Sequence, residues 1–183
     1  PHAFIYALPY SLYALHRVRR YGFHGTSHLW VSNKAAAHLE KPLGSLNLIT
    51  FHLGNGASAA AIRQGLSVDT SMGMIPLEGF VMGTRCGDPA IPFYLTRVTR
   101  MAYGDLEALL NKGSGLKGIC GANDMREILQ MANRGEPQAQ LALELYCYRV
   151  KKYLGAYFAV LGRVDAIVFT GGIGENAAPI RKQ

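Results

Sequence analysis

The residues that could do chemistry begin with a histidine beside a glycine-rich turn. A buried-strand pattern of apolar and β-branched residues runs from Leu48 to Leu53 and is followed by Gly54-Asn55-Gly56. Asn-Gly between two apolar runs is typical of a tight β-hairpin whose turn residues tolerate positive φ. A turn with two glycines also lets backbone N–H groups approach an anion such as phosphate, and His52 could add a donor. Both interpretations apply to this stretch.

A second histidine-containing stretch is also rich in glycine. His24 and His28 are four residues apart, which is the spacing of a zinc-binding pair on a helix. An intervening glycine, with Thr26 or Ser27 as a cap, instead predicts that the helix covers roughly residues 27–39 and starts after His24. No glutamate intervenes as in His-Glu-x-x-His. The pattern therefore favours a hydrogen-bonding His24 in a cleft, or a histidine that only ties down its loop, over a metal site.

A third candidate, Arg85, lies in a long segment of glycines and prolines that the sequence predicts as a loop over residues 71–92. Such a long loop within one domain is uncommon unless it is functional. Arg85 could place its planar guanidinium over a phosphoryl group or a carboxylate. The alternative is a surface arginine paired with Glu78 or Asp88.

A second glycine-rich turn follows another buried strand. Residues 166–170 form an apolar run, and 171–176 read Gly-Gly-Ile-Gly-Glu-Asn, which we interpret as a turn leading into another helix. The chain thus holds two similar devices, each a strand followed by a glycine-rich turn with an asparagine. Two strand-end glycine turns separated by helices indicate an α/β nucleotide site better than either turn alone.

The elements that must position these residues follow from periodicity. Residues 1–20 are interpreted as a short irregular or helical entry. A meander of three antiparallel strands covers about 46–63 and 66–70. Helices are predicted over 105–111, 124–133 and 136–161, the last with Pro137 in its first turn and one core-facing stripe. That stripe consists of Leu143, Cys147, Val150, Leu154, Phe158 and Leu161.

Composition limits the function classes. The chain has 183 residues, 49% of them hydrophobic and 17% charged, which is typical of a soluble globular protein. No apolar run is long enough for a membrane span. A net charge of +7 favours anionic partners, but the basic residues are scattered, so small phosphorylated ligands are favoured over nucleic acid. Three widely spaced cysteines indicate reduced thiols in the cytoplasm. The first residue, Pro1, indicates a segment of a longer protein.

Six motifs, taken in order along nearly the whole chain, resemble the acetate kinase family, which also includes propionate and butyrate kinases. The resemblance implies an α/β fold of the actin-like ATPase type, with a ribonuclease-H-like mixed sheet and flanking helices. It further implies that residues 1–183 are mostly the C-terminal nucleotide-binding domain and lack the N-terminal domain of the two-domain fold. The six motifs are Tyr21-Gly-Phe-His-Gly-Thr-Ser-His28, His52-Leu-Gly-Asn-Gly56, Asp69-Thr-Ser-Met-Gly73, Pro76-Leu-Glu-Gly79, Gly83-Thr-Arg85 and Phe169-Thr-Gly-Gly-Ile-Gly-Glu-Asn176.

The resemblance also implies residue roles in transfer of the γ-phosphoryl group of ATP to acetate, giving acetyl phosphate and ADP. His24 and Arg85 match residues that stabilise the transferring phosphoryl group, while Phe23 and Pro76 match the pocket for the acetate methyl group. Nucleotide-binding positions form three sets. They are the phosphate loop of His52, Leu53, Gly54, Asn55 and Gly56, the segment Asp124, Met125 and Arg126, and the adenosine loop of Gly172, Ile173, Gly174, Glu175 and Asn176.

The chain also departs from the family pattern. The first phosphate loop, a substrate-binding arginine, the catalytic aspartate and the Mg²⁺ ligands of the family do not map onto it, so we expect the chain alone to be inactive. The family has further residues between Gly-Asp and Pro, whereas here Asp88 runs directly into Pro89, which brings the placement of Arg85 into question. Propionate specificity, or a non-catalytic nucleotide-binding or dimerising fragment, stays open. The family further implies a cytoplasmic homodimer.

Overall fold

The computed structural model describes residues 2–87 and 90–183. Asp88 and Pro89, and with them the shortened loop and any pairing of Arg85 with Asp88, lie outside the described residues. The described chain is a mixed sheet with helices on both faces. Its elements are α1 (Tyr10–His16), α2 (Gly25–His38), β1 (Asn47–Leu53), β2 (Ala57–Arg63), β3 (Leu66–Thr70), α3 (Ala90–Thr99), α4 (Tyr103–Lys112), α5 (Gly115–Cys120), α6 (Met125–Asn133), α7 (Pro137–Leu161), β4 (Ala166–Thr170), α8 (Gly171–Asn176) and α9 (Ala178–Lys182).

The sheet has the strand order β3-β2-β1-β4. β1 pairs antiparallel with β2 and parallel with β4, and β2 pairs antiparallel with β3. The predicted meander is therefore confirmed. The parallel pairing matters most for the site, because it brings the carboxyl ends of β1 and β4 to the same edge, with His52 beside Thr170.

The two faces of β1 have different environments, because successive side chains of a strand point to opposite faces. Ile49, Phe51 and Leu53 lie in the main core, which is closed by residues of α7. Leu48, on the other face, packs in a smaller apolar cluster with Ala36 of α2. Farther along that same face the strand carries polar side chains instead of apolar ones, and these contact the beginning of α2.

The long helix α7 follows the prediction closely. It begins at Pro137, which fills the first helical position as expected, and ends before Gly162, where φ is +73°. Phe158 is 42% exposed, so its assignment to the buried stripe was wrong, and Tyr157 is buried in its place. Because the buried face drifts along a straight helix of 3.6 residues per turn, a stripe read from spacing alone loses register near the helix end.

Three predicted elements need correction. The loop predicted over 71–92 ends earlier, because α3 begins at Ala90 and accommodates Pro92 in its first turn. Residues 171–176 are helix α8 itself, not a turn, and the following helix is the short α9. The prediction also omitted α3 and α5.

Candidate functional site

The site begins where β1 and β4 end side by side. Helix α8 starts directly at Gly171, where φ is +79° and an added Cβ would lie 2.7 Å from the carbonyl oxygen of Leu53. Only a residue without a side chain fits this approach of α8 to β1 without strain. The two glycine-rich stretches predicted from the sequence therefore meet at one edge of the sheet.

A cavity of about 760 Å³ opens at this edge. Three separate segments line it, namely the β1–β2 turn, the start of α6 and the helix α8. It is lined by Gly54, Asn55, Asn123, Asp124, Met125, Arg126, Leu129, Gly172, Ile173, Asn176 and Ala177. All three sets of predicted nucleotide-binding positions contribute to this lining. The predicted residues His52, Leu53, Gly56, Gly174 and Glu175 are close by in sequence but are not part of it.

The β1–β2 turn differs from the expected Asn-Gly hairpin. Neither Asn55 nor Gly56 has positive φ, and the turn is closed by a hydrogen bond from the Gly54 N–H to the Gly56 carbonyl oxygen. Gly56 is needed for space instead. A Cβ added there would lie 3.4 Å from both Arg85 Nη2 and His24 Nε2. The predicted catalytic side chains therefore face the predicted phosphate turn.

Asn55 links the cavity to the segment that carries Arg85. Its side-chain oxygen accepts a hydrogen bond from Asn123 Nδ2 at 3.2 Å, and its backbone oxygen accepts one from the Gly83 N–H at 2.9 Å. A Cβ added at Gly83 would collide with the Asn55 side chain. The turn, the start of α6 and the Arg85 segment are thus held together around one asparagine.

Arg85 itself points inward from its loop. Its Nη1 donates to the Pro76 carbonyl oxygen at 3.3 Å. Glu78, the partner considered from the sequence, instead forms an ion pair with Arg20 and accepts a hydrogen bond from the Tyr6 hydroxyl. The carbonyl of Pro76 therefore orients the guanidinium whose other nitrogen faces Gly56.

His24 is placed by the turn that starts α2. Its backbone is left-handed, with φ +60°, and it precedes the first helical residue, Gly25. The predicted position before the helix is confirmed, but the predicted cap was wrong, because Ser27 lies inside the helix and hydrogen bonds to His52 Nδ1 at 2.8 Å. The rings of His24 and His52 are stacked with their centroids 4.1 Å apart.

The imidazole of His24 is uncharged at neutral pH. Burial, with smaller contributions from the neighbouring His52 and Arg85, lowers the pKa of His24 to about 4. Burial also lowers the pKa of His52. The arrangement therefore combines one permanent cation, Arg85, with neutral imidazoles that can donate hydrogen bonds to an anion.

Behind His24 lies a layer of polar side chains that sequence reasoning missed. Ser58 Oγ is 2.8 Å from His24 Nδ1 and 2.8 Å from His28 Nε2, and His28 Nδ1 is 2.8 Å from Thr50 Oγ1. Thr50, His28 and Ser58 are buried. The available signal was polar residues at alternate positions of otherwise apolar strands, on the face that α2 covers.

The other predicted residues occupy supporting positions. Asp124 caps α6 by accepting a hydrogen bond from the Arg126 N–H at 2.9 Å. The Arg126 side chain lowers the pKa of Asp124 to about 2. Met125 is buried beneath the cavity, and Glu175 accepts a hydrogen bond from the Thr170 hydroxyl at 3.0 Å.

The two predicted acyl-pocket residues are placed differently. Phe23 packs against the main core and helps to line a second cavity of about 260 Å³ between the start of α2 and strands β2 and β3. Pro76 does not line that cavity but contributes the carbonyl that binds Arg85. Of the two residues, only Pro76 has a hydrogen bond to the predicted catalytic residue Arg85.

Within residues 2–87 and 90–183, no three or more His, Cys, Asp or Glu side chains come together in a way that could hold a metal ion. In the same part of the chain no helix is long and apolar enough to cross a membrane.

Comparison with known proteins identifies the family. The sequence profile of the Acetokinase family matches residues 1–183. The chain belongs to the acetokinase family. It is 63% identical to an acetate kinase of Syntrophobacter fumaroxidans, with 100% of this chain and 45% of that protein covered. It is 60% identical to an acetate kinase of a Sulfurovum species, with 97% and 45% covered.

Solved structures of the acetokinase family share the fold. The acetate kinase of Porphyromonas gingivalis superimposes with a TM-score of 0.95 at 47% identity, covering 99% of this chain and 46% of that one. A propionate kinase from Francisella tularensis also gives 0.95, at 49% identity, with 100% and 48% covered. The expected actin-like ATPase fold is confirmed. The chain spans less than half the length of these relatives.

Proposed function

We propose that residues 1–183 are mostly the C-terminal nucleotide-binding domain of an enzyme that transfers the γ-phosphoryl group of ATP to acetate. One observation carries this proposal. The cavity that could hold a nucleotide is lined by Asn55, and the next residue, Gly56, faces both Arg85 and His24. A nucleotide in the cavity would therefore direct its terminal phosphate toward a guanidinium and an imidazole.

In the proposed reaction an acetate oxygen attacks the γ-phosphorus in line with the leaving ADP. The new P–O bond of acetyl phosphate forms as the bond to the β-phosphate oxygen breaks, and the electron pair of that bond leaves with ADP. Arg85 neutralises the charge on the transferring group through its planar donors. His24, being neutral, contributes a hydrogen bond rather than a charge. Positioning and charge stabilisation supply most of the catalysis in such reactions.

The nucleotide and the carboxylate have separate proposed contacts. The cavity side chains of α6 and α8 take the nucleoside, and the backbone of residues 54–56 approaches the phosphates. Phe23 and Pro76 are assigned to the acyl pocket, as the family resemblance implies. Mg²⁺, which the family resemblance implies, would come with the nucleotide, and no step here passes through residues of this chain that hold a metal. A homodimer in the cytoplasm is proposed on the resemblance alone.

A second candidate is propionate kinase activity. A propionate kinase and an acetate kinase superimpose on this chain equally well, and the propionate kinase is 49% identical against 47%. These two solved structures therefore favour neither acyl group. The discriminating residue that we propose for this chain is Phe23, which the family resemblance assigns to the acyl pocket.

The proposal is tested with the chain extended to the length of its relatives. Acyl phosphate is trapped as the hydroxamate, with acetate and propionate compared at equal concentration. We expect acetyl hydroxamate that depends on ATP, and no turnover from residues 1–183 alone. Activity with propionate but not acetate would replace the first candidate by the second. No acyl phosphate from either acid would contradict both.

A further inference from the structure

A hydrogen-bonded row of four side chains leads from the interior to His24. Thr50 Oγ1, His28 Nδ1, His28 Nε2, Ser58 Oγ and His24 Nδ1 follow one another, with each contact at 2.8 Å. The row exists because Thr50 and Ser58 lie on the sheet face that α2 covers, while His28 follows His24 by one helical turn. We call these residues the His24 row.

The protons of the His24 row depend on one another. A neutral imidazole has one N–H donor and one acceptor nitrogen, and a serine hydroxyl has a single proton. Ser58 lies between two ring nitrogens and has one proton, so it cannot donate to both. If it accepted from both, its own buried proton would have no acceptor among the residues that the structure describes, so it donates to one ring and accepts from the other. His28, buried and with its pKa lowered to about 4, is neutral and must do the same. The donated hydrogen bonds of the row can therefore either all point toward His24 or all point away from it.

Burial of Thr50 distinguishes the two directions. If the protons point toward His24, the Thr50 hydroxyl donates to His28 Nδ1 and no donor is left over. If they point away, His28 donates to Thr50, whose own proton then needs another acceptor. Across the residues that the structure describes, the Thr50 hydroxyl has a hydrogen bond only with His28. A buried donor without an acceptor is costly, so the direction toward His24 is favoured.

We propose that Ser58, backed by His28 and Thr50, is a positioning residue that holds His24 in the tautomer with its proton on Nε2. Ser58 donates to His24 Nδ1, which leaves Nε2–H facing the position beside Gly56 and Arg85. This inference rests on the proposed function, because an Nε2–H donor is what an anionic phosphoryl group there requires. In the other tautomer a nitrogen lone pair would face the anion and repel it.

The test is the tautomer of His24, read from long-range ¹H–¹⁵N spectra of the whole chain at pH 7. We expect Nδ1 to show the shift of an acceptor nitrogen and Nε2 that of a protonated one. Ser58→Ala should change the His24 pattern to a mixture of tautomers. Ser32→Ala is the matched control, since Ser32 is a buried serine of α2 that donates only to the carbonyl oxygen of His28, and it should leave His24 unchanged.

Each outcome decides the proposal. A wild-type His24 protonated on Nδ1, or one that keeps its Nε2–H tautomer in a folded Ser58→Ala chain, would overturn it. If Ser58→Ala does not fold, Thr50→Val serves instead, because valine has nearly the shape of threonine but no hydroxyl. His28 Nδ1 then lacks a partner in either direction, so the preference for the direction toward His24 should weaken and the Nδ1–H tautomer of His24 should appear. An unchanged His24 in folded Thr50→Val would overturn the proposal. The readout needs no substrate, so a failure of the proposed phosphoryl transfer would leave this result separately interpretable.

Discussion

Gly171→Ala tests the close approach of α8 to the Leu53 carbonyl at the end of β1. Alanine at φ +79° costs about 1–2 kcal/mol in the left-handed region. Its Cβ would also lie 2.7 Å from the oxygen and 3.0 Å from the carbon of the Leu53 carbonyl, both of them backbone atoms. Such overpacking typically adds about 1–3 kcal/mol. We therefore expect the free energy of unfolding to fall by about 2–5 kcal/mol.

Urea unfolding followed by circular dichroism measures this loss as a shift of the midpoint. With a slope of about 1–3 kcal/mol per molar urea, the midpoint should fall by at least about 0.7 M. Gly172→Ala is the matched control, because the neighbouring glycine does not have positive φ and no atom lies within 4 Å of an added Cβ. It should be neutral or stabilising by up to about 1 kcal/mol. Equal midpoints for the two variants would refute the close approach.

Three further predictions concern the site. In the chain extended to full family length, Arg85→Ala should lower kcat by about 10²–10³-fold with little change in nucleotide affinity, and Arg85→Lys should restore only part of the rate. An unchanged kcat, or an equal loss in the surface variant Arg134→Ala, would exclude Arg85 from the transition state. Gly83→Ala should weaken nucleotide binding measured by calorimetry, because the new Cβ displaces Asn55; unaltered affinity would contradict that link. Because the folded-state pKa of His28 is about 4, below its unfolded value of 6.5, the stability that neutral His28 contributes is present above pH 6.5 and lost as pH falls toward 4. The loss for His28 is about 3 kcal/mol, so His28→Asn should flatten the pH dependence of unfolding, and parallel curves would contradict this.

The sequence predicted the sheet well because its signals are local. The apolar runs of β1 and β2 and the glycine turn between them specify a hairpin without reference to the rest of the chain. Pro137 and the helical spacing of the apolar residues that follow it likewise specify α7 by local signals. The sequence also predicted that the two glycine-rich stretches belong to one site, because each follows a strand. The parallel pairing of β1 with β4 is what brings them to the same edge of the sheet.

The errors have physical causes that local signals do not carry. The glycines of residues 171–176 suggested a turn. In the structure these residues form α8, which packs against β1 and in which Asn176 Nδ2 donates a hydrogen bond to the Gly172 carbonyl oxygen. Pro92 suggested a continuing loop although proline fits the first turn of a helix. The contacts of Ser58 with His24 and His28 arise only when α2 packs on the sheet. The sequence alone does not show which polar side chains will form hydrogen bonds across the interface between α2 and the sheet.

Binding of ADP to residues 1–183, followed by isothermal titration calorimetry, tests the central claim most directly. The cavity predicts measurable binding, with a Kd between about 1 μM and 1 mM. Gly172→Leu, which fills the cavity, should weaken it at least about tenfold, a loss of about 1.4 kcal/mol. Gly155→Leu, an equally open helical glycine outside the cavity lining, should leave it unchanged. No binding heat at millimolar ADP, or equal affinity in the wild type and Gly172→Leu, would contradict the assignment of this cavity to a nucleotide.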